Sequence, residues 1–356
     1  MSGEPLGVYV HIPFCSTRCD YCAFATWTDR HQLIDEYLDA LRVDIARTFE
    51  WRDDPRDVST VFVGGGTPSL VPPAALAAAL REIPTEAGAE VTVECNPDDV
   101  DEALLSALAA GGVNRISLGV QSMVPRILGL LGRHHDPDNV IGAVESIRRV
   151  GFRSFNLDLI YGTASETLDE WRTTLDAALT LAPPHISAYG LTVEAGTPLA
   201  ADPDRYPDDD VQADEYELAD DLLVAAGLEN YEVSNWAEPG HECRHNLLYW
   251  GQHDYLGFGC AAHSHVAGRR WWNLRTPERY LAAVAADDTT EAAGETLDAE
   301  TRRIEGLQLA LRTKDGVPAD SLDLDELPGL VETKGQRVVL TRRGRLMANE
   351  VSVRLK

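Results

Sequence analysis

Three cysteines fall within eight positions, Cys15-Ser-Thr-Arg-Cys19-Asp-Tyr-Cys22, at spacings of four and three residues. Thiolates this close together are soft ligands for an iron-sulfur cluster or for zinc. A structural zinc site almost always takes four ligands, so zinc would need a distant His or Cys to complete its shell. A cubane has four irons, and three cysteines leave one iron open to another ligand. Three reduced core cysteines are the plainest alternative, but this loop follows the first strand of a β/α series, where ligand sites gather. Cys95, Cys243 and Cys260 lie far apart in sequence and read as small buried residues in a reducing compartment.

The next strand runs into Gly64-Gly65-Gly66-Thr67-Pro68. Without a Cβ the loop lets a ligand approach both amides and carbonyls. An isolated triple glycine would be a tight turn; next to a cluster loop it is a candidate cradle. Glu94, Gln121 and Asp158 close further strands. Loops at the carboxyl ends of barrel strands converge on one rim, so several polar strand ends in register read as one site.

The elements that must position these residues are legible as alternation. Strands are expected at Gly7–Ile12, Thr60–Val63, Glu90–Glu94, Arg115–Gly119, Ser154–Leu159 and His185–Leu191, with amphipathic stretches around Leu33–Phe49, Pro73–Ile83, Asp101–Ala110, Asn139–Val150 and Leu168–Leu181 between them. Regular β-α order implies a parallel sheet with right-handed crossovers, either a barrel or a doubly wound sheet. After Leu191 the regularity fails. An acidic, proline-containing stretch (Ala201–Asp210) leads into a helix over Ala213–Ala226, and Ser234–Trp272 is rich in His, Gly and aromatic residues. The tail reads as a helix (Ala299–Leu311), a helix near Asp320–Leu327, and a strand pair at Val338–Leu340 and Val351–Leu355. That order predicts a small winged-helix-like α+β domain. The expected division is a barrel over 1–235 and a second domain over 236–356.

The 356 residues, 44% of them hydrophobic, suffice for one large core and an appendage. With 31 basic against 58 acidic residues the net charge is −27, which repels polyphosphate and argues against nucleic acid as a partner. No run approaches the roughly 18 apolar residues of a membrane span, and no basic segment with an apolar run opens the chain. A soluble cytoplasmic protein is expected.

Taken together the motifs resemble a known family. Tyr9-Val-His-Ile-Pro-Phe-Cys15, Val63-Gly-Gly-Gly-Thr-Pro68, Glu94-Cys-Asn-Pro97, Asn114-Arg-Ile-Ser-Leu-Gly-Val-Gln-Ser122, Asp158-Leu-Ile-Tyr-Gly162, Tyr231-Glu-Val-Ser-Asn235 and His245-Asn-Leu-Leu-Tyr-Trp250 are similar, in order, to those of radical S-adenosylmethionine (SAM) proteins related to oxygen-independent coproporphyrinogen III oxidase, and most of all to the HemW heme-chaperone branch. The resemblance implies a partial (β/α)6 TIM-type barrel with a small C-terminal domain. It implies a [4Fe-4S] cluster on Cys15, Cys19 and Cys22, with SAM bound through the open iron among Tyr9, Tyr21, Gly65, Gly66, Thr67, Glu94, Gln121, Arg133 and Asp158. Such a site cleaves SAM reductively to methionine and a 5′-deoxyadenosyl radical, with an electron donor the sequence does not name.

Two departures separate the branches. The decarboxylating relatives carry a further cysteine two positions past the third ligand and a long arm before the cluster loop; here Phe24 stands at that position, and fourteen residues precede Cys15. The His245–Trp250 segment resembles the heme-binding signature of the chaperone branch, with His245 as iron ligand and Tyr249 and Trp250 against the porphyrin. Imidazole chemistry leaves His241, His253, His263, His265 and Cys243 open as alternative ligands, and a histidine among aromatics is often a hydrogen-bonded core residue. Gly162-Thr-Ala-Ser-Glu-Thr167 replaces the Pro-Gly turn common in relatives and reads as a loop variation. The leading expectation is therefore a chaperone that delivers heme to respiratory enzymes; decarboxylation of coproporphyrinogen III to protoporphyrinogen IX and a zinc-stabilised binding barrel are the alternatives.

Overall fold

The structure, a computed structural model, describes residues 4–356. Strands and helices alternate as β1 (Leu6–Ile12), α1 (Ile34–Trp51), β2 (Val58–Gly65), α2 (Pro73–Leu80), β3 (Thr85–Cys95), α3 (Glu102–Ala110), β4 (Arg115–Gln121), α4 (Pro125–Leu130), α5 (Pro137–Val150), β5 (Ser154–Tyr161), α6 (Leu168–Thr180) and β6 (His185–Gly190). The six strands are parallel and pair in chain order, which makes a partial (β/α)6 barrel. Each strand reads in period two. Val8, Val10, Val61, Val63, Val93, Leu118, Val120, Leu157 and Leu159 are buried in the apolar core. The alternate positions Tyr9, His11, Thr60, Thr92, Glu94, Ser117, Asn156, Asp158, His185 and Ser187 are polar and line the interior. Local chemistry stops and starts the helices: Asp101 accepts from the Leu104 amide to open α3, a Thr167–Glu170 capping box opens α6, and Gly151 closes α5 at φ 97°.

The chain continues through α7 (Asp209–Ala225), β7 (Glu229–Glu232), β8 (Asn235–Ala237), α8 (Arg244–Trp250), β9 (Asp254–Phe258), β10 (His263–Val266), β11 (Arg269–Asn273), α9 (Pro277–Ala285) and β12 (Glu291–Thr296). β8 and β7 extend the β6 edge antiparallel, while β9 lies parallel to β1 and carries β10, β11 and β12 outward in antiparallel order. The division expected at 235/236 thus falls inside β8, and residues 236–296 cap both free edges of the barrel sheet. Alternation gives a strand's faces but not its pairing partner, so this segment could not be assigned to the barrel from its pattern.

A separate small core of Leu311, Val317, Leu322, Leu327, Val338 and Val351 is built by α10 (Ala299–Ala310), β13 (Val317–Pro318), β14 (Val331–Lys334), β15 (Arg337–Leu340), α11 (Arg342–Leu346) and α12 (Ala348–Ser352). Two tail expectations are corrected. The partner of Arg337–Leu340 is Val331–Lys334 across a tight hairpin, and Val351 is buried from a helix rather than a strand. The region 320–327 holds two single 3-10 turns, at Ala319–Ser321 and Leu324–Glu326, in place of a helix; Asp323 caps the second by accepting from the Asp325 amide, which favours a turn over propagation. Among the described residues no helix is long and apolar enough to cross a membrane.

Candidate cluster and cofactor site

The cluster loop leaves β1 at Pro13-Phe14 and is tied back by backbone bonds, Cys15 to the Trp27 carbonyl at 3.1 Å and Trp27 to the Pro13 carbonyl at 2.7 Å. Phe14 is fully buried, its ring 5.3 Å from Tyr37 in an edge-on contact. The glycine loop after β2 is laced to this one: the Gly66 amide donates to the Ile12 carbonyl (2.7 Å) and the Thr67 amide to the Phe14 carbonyl (2.8 Å). A Cβ on Gly66 would stand 2.5 Å from the Phe14 oxygen and 2.8 Å from the Ile12 oxygen. A Cβ on Gly65, at φ 110°, would strike the His11 ring. The glycines therefore let two loops close on one another, which changes the expectation that Gly66 serves chiefly to admit a ligand.

The two loops wall a cavity of about 670 Å³ that receives Cys15, Cys19 and Cys22 together with Tyr21, Gly65, Gly66, Thr67, Glu94, Gln121, Arg133 and Asp158. Thr67 Oγ1 donates to Cys15 Sγ at 3.6 Å, and an Arg133 guanidinium nitrogen donates to Cys19 Sγ at 3.7 Å. Burial pushes the Cys15 and Cys22 thiols up, and the neighbouring cysteines push them further; metal binding displaces such protons. Among the described residues no group of three or more His, Cys, Asp and Glu side chains is arranged around a single ion, whereas a cubane takes one sulfur on each of three separate irons. Three thiols, two of them receiving hydrogen bonds, fit that group.

The far wall is polar and buried. Glu94 is raised to about 8, first by burial and then by Asp158, and the Gly65 amide donates to it at 3.2 Å. Burial also raises Asp158, against the bonds it accepts from Ser117 (2.7 Å) and Asn156 (2.7 Å). Gln121 holds φ 63° at a register shift in β4, an uncommon conformation that bends the strand end and turns the residue into the cavity. Arg133 is fixed by the Gly119 carbonyl at 2.8 Å. A guanidinium and two carboxylates lining one cavity complement a ligand that carries a carboxylate and cationic groups.

Residues 9–178 match the Radical SAM superfamily. The chain is 42% identical over 371 aligned positions to the heme chaperone HemW of Mycobacterium tuberculosis strain H37Rv, covering 99% of this chain and 95% of that protein. It is 33% identical to the heme chaperone HemW of Bacillus subtilis, covering 96% and 97%. The structure superposes on coproporphyrinogen III oxidase (HemN) from Escherichia coli, a radical SAM enzyme, with a TM-score of 0.84 at 26% identity over 98% of this chain and 89% of that one. The chain belongs to the HemW family of radical SAM proteins.

In this HemW-family chain eight of the nine residues assigned to SAM meet in the cavity. Tyr9 does not line it; its hydroxyl pairs with His11 Nδ1 at 3.1 Å, and His11 in turn reaches the Ala25 carbonyl at 2.9 Å. Tyr9 thus supports the cluster loop through His11. The heme signature stands elsewhere. His245 is completely buried, with Nδ1 2.9 Å from Thr60 Oγ1, Nε2 2.8 Å from the Tyr249 hydroxyl, and its ring stacked 5.5 Å from Phe62. Burial lowers it to about 3. As folded it is a hydrogen-bonded core histidine with no free nitrogen for iron. Tyr249 and Trp250 are half-buried. Sequence reasoning missed Asn96 and Tyr189, which also line the cavity. Asn96 lies inside the Glu94–Pro97 motif, and Tyr189 follows Ser187 by two along β6; the strand period could have found the second.

Proposed function

We propose that this chain is a radical SAM heme chaperone: a cytoplasmic protein that binds heme, carries a [4Fe-4S] cluster on Cys15, Cys19 and Cys22 with SAM beside it, and delivers heme to respiratory enzymes. When bound, the cluster and SAM supply one-electron reducing power and a source of radical chemistry. The protein's own residues would hold and orient SAM: Arg133 would take its carboxylate, Glu94 and Asp158 its cationic and hydroxyl groups, and Gln121, at the end of β4, would bound the site. A cation beside Glu94 favours its ionised form, so binding and proton release go together.

The single observation that carries the reading is the 42% identity, along nearly the whole of both chains, to a HemW heme chaperone. Position 24 agrees with it: Phe24 is 65% exposed at the cavity wall, where a decarboxylase of this lineage is expected to carry cysteine. Likeness to HemN over 98% of the chain keeps coproporphyrinogen III decarboxylation as the second reading. Anaerobically reconstituted protein given hemin, and separately coproporphyrinogen III with SAM and dithionite, decides between them. Stoichiometric hemin uptake without protoporphyrinogen supports the chaperone; protoporphyrinogen formed over many turnovers overturns it.

A further inference from the structure

Resting on the SAM and heme readings above, we infer that His185 and Tyr231 are positioning residues that tie the SAM site to α8, the helix carrying His245, Tyr249 and Trp250, so that SAM and heme oppose one another's binding. Cross-strand register sets Ser117 of β4, Asn156 of β5 and His185 of β6 side by side in one interior layer of the barrel. Asp158, two positions further along β5, lines the SAM cavity. From the cavity inward, Asn156 Nδ2 donates to Asp158 at 2.7 Å, the Asn156 oxygen accepts from His185 Nδ1, His185 Nε2 lies 2.8 Å from the Tyr231 hydroxyl, and the Cys243 amide donates to the Tyr231 oxygen at 3.3 Å. Cys243 is the residue that opens α8. The Asn156, His185 and Tyr231 side chains are all buried.

The row runs in one consistent direction. Burial, and then the Arg115 guanidinium, push His185 well down, so its ring is neutral and carries a single proton. Asn156 turns its amide nitrogen to the Asp158 carboxylate, because its oxygen there would meet another acceptor. That presents the oxygen to His185, which assigns the ring proton to Nδ1 and leaves Nε2 to accept from Tyr231. The Tyr231 oxygen then takes the Cys243 amide. Each link fixes the orientation of the next, and a layer that branched apolar side chains ordinarily fill is given over to a satisfied polar row. The loop entering α8 is held at a second point, where Arg115 donates to the His241 carbonyl at 2.9 Å.

The two ligands ask different things of α8. As folded, His245 is engaged by Thr60 and Tyr249, so iron reaches its imidazole only when α8 moves away from the strands. SAM acts at the other end of the row. A cation or hydroxyl against Asp158 keeps that carboxylate ionised and fixed, and an ionised acceptor strengthens the bond from Asn156; through His185 and Tyr231 this holds α8 closed. Each ligand prefers a different state of one helix, and linkage makes the effect mutual. Heme is kept while the SAM site is empty and released as SAM binds.

The test uses the full, cluster-reconstituted chain without reductant, so that SAM stays intact. Hydrogen exchange followed by mass spectrometry should show SAM slowing the backbone amides of α8, and hemin affinity should fall by about fivefold or more when SAM is present. Tyr231 does not line the cavity, so Tyr231→Phe should bind SAM as the parent does while both effects shrink toward none, with circular dichroism and cluster iron unchanged. Tyr280→Phe, which loses a buried hydroxyl bonded instead to Asp44, should keep both effects. A parent that binds SAM with no change in α8 exchange, hemin affinity that SAM leaves unchanged or raises, or a Tyr231→Phe chain that responds as fully as the parent overturns the inference; the first two need no variant. A parent that takes up no hemin overturns the chaperone reading, and the exchange result then decides the link by itself.

Discussion

Cys15, Cys19 and Cys22 stand together on the loop that walls the cavity; Cys95 borders the same cavity but lies on β3, 4% exposed with its thiol turned to the Val93 carbonyl at 3.9 Å, and Cys243 and Cys260 are buried outside the cavity lining. Replacing any of the first three by Ala should therefore abolish the intact cluster, whereas Cys95→Ala should leave iron and sulfide near four per chain, as measured on anaerobically reconstituted protein. Gly66→Val tests the loop geometry. Its side chain would press on the Ile12 and Phe14 carbonyls at the root of the cluster loop, so iron content should fall together with SAM affinity; weakened SAM binding with full iron would show that the loops tolerate the clash. The motifs themselves were legible because their spacing is local and their chemistry specific. What the glycines touch was not, since the contact joins residues fifty positions apart. His245 shows the same limit in reverse: a histidine before an aromatic pair reads as a ligand, yet Thr60 and Phe62, far off in sequence, supply the partners that make it a core residue.

At the scale of elements, the β/α units were readable because period-two alternation separates an apolar outer face from a polar inner one, and every expected barrel strand overlaps an observed one. The loop between β5 and α6 was read as a mere variation, yet it sets Glu166 near Glu215 of α7. Glu215 is fully buried, with no hydrogen-bond partner for either carboxylate oxygen among the described residues. Burial and then Glu166 raise it to about 8. An unfolded chain sheds this proton near pH 4.5 and the folded one only near 8, so the unfolded state binds fewer protons between those values and stability falls as pH rises through them. Glu215→Gln should remove that loss. Its melting temperature should match the parent near pH 4 and exceed it increasingly up to pH 8. Parallel melting profiles across this range would mean that Glu215 is already solvated or paired.

For the whole molecule, the small C-terminal domain is pinned to α7 through Asp220, which accepts from Trp236 Nε1 at 2.9 Å and from Arg345 at 2.8 Å, with Arg342 at 3.3 Å. Removing one partner of a mostly buried ion pair leaves uncompensated charge, so Asp220→Ala should cost about 3 kcal/mol and loosen the domain, seen as faster proteolysis after residue 296. That the domain begins near Ala299 was hidden because the strands before it complete the barrel sheet through pairings across more than two hundred residues. The cluster cavity and the histidine-aromatic region use different residues, so protein stripped of cluster should still take up some hemin. The most direct test of the account follows heme itself. Hemin-loaded, cluster-containing protein is mixed with membranes carrying heme-free respiratory enzyme, and heme in the repurified enzyme is measured against an equal amount of free hemin. Transfer faster and more complete than from free hemin, with the chain emptied in step, is the predicted result; heme that stays on the chain, or reaches the enzyme no faster than free hemin does, would contradict it.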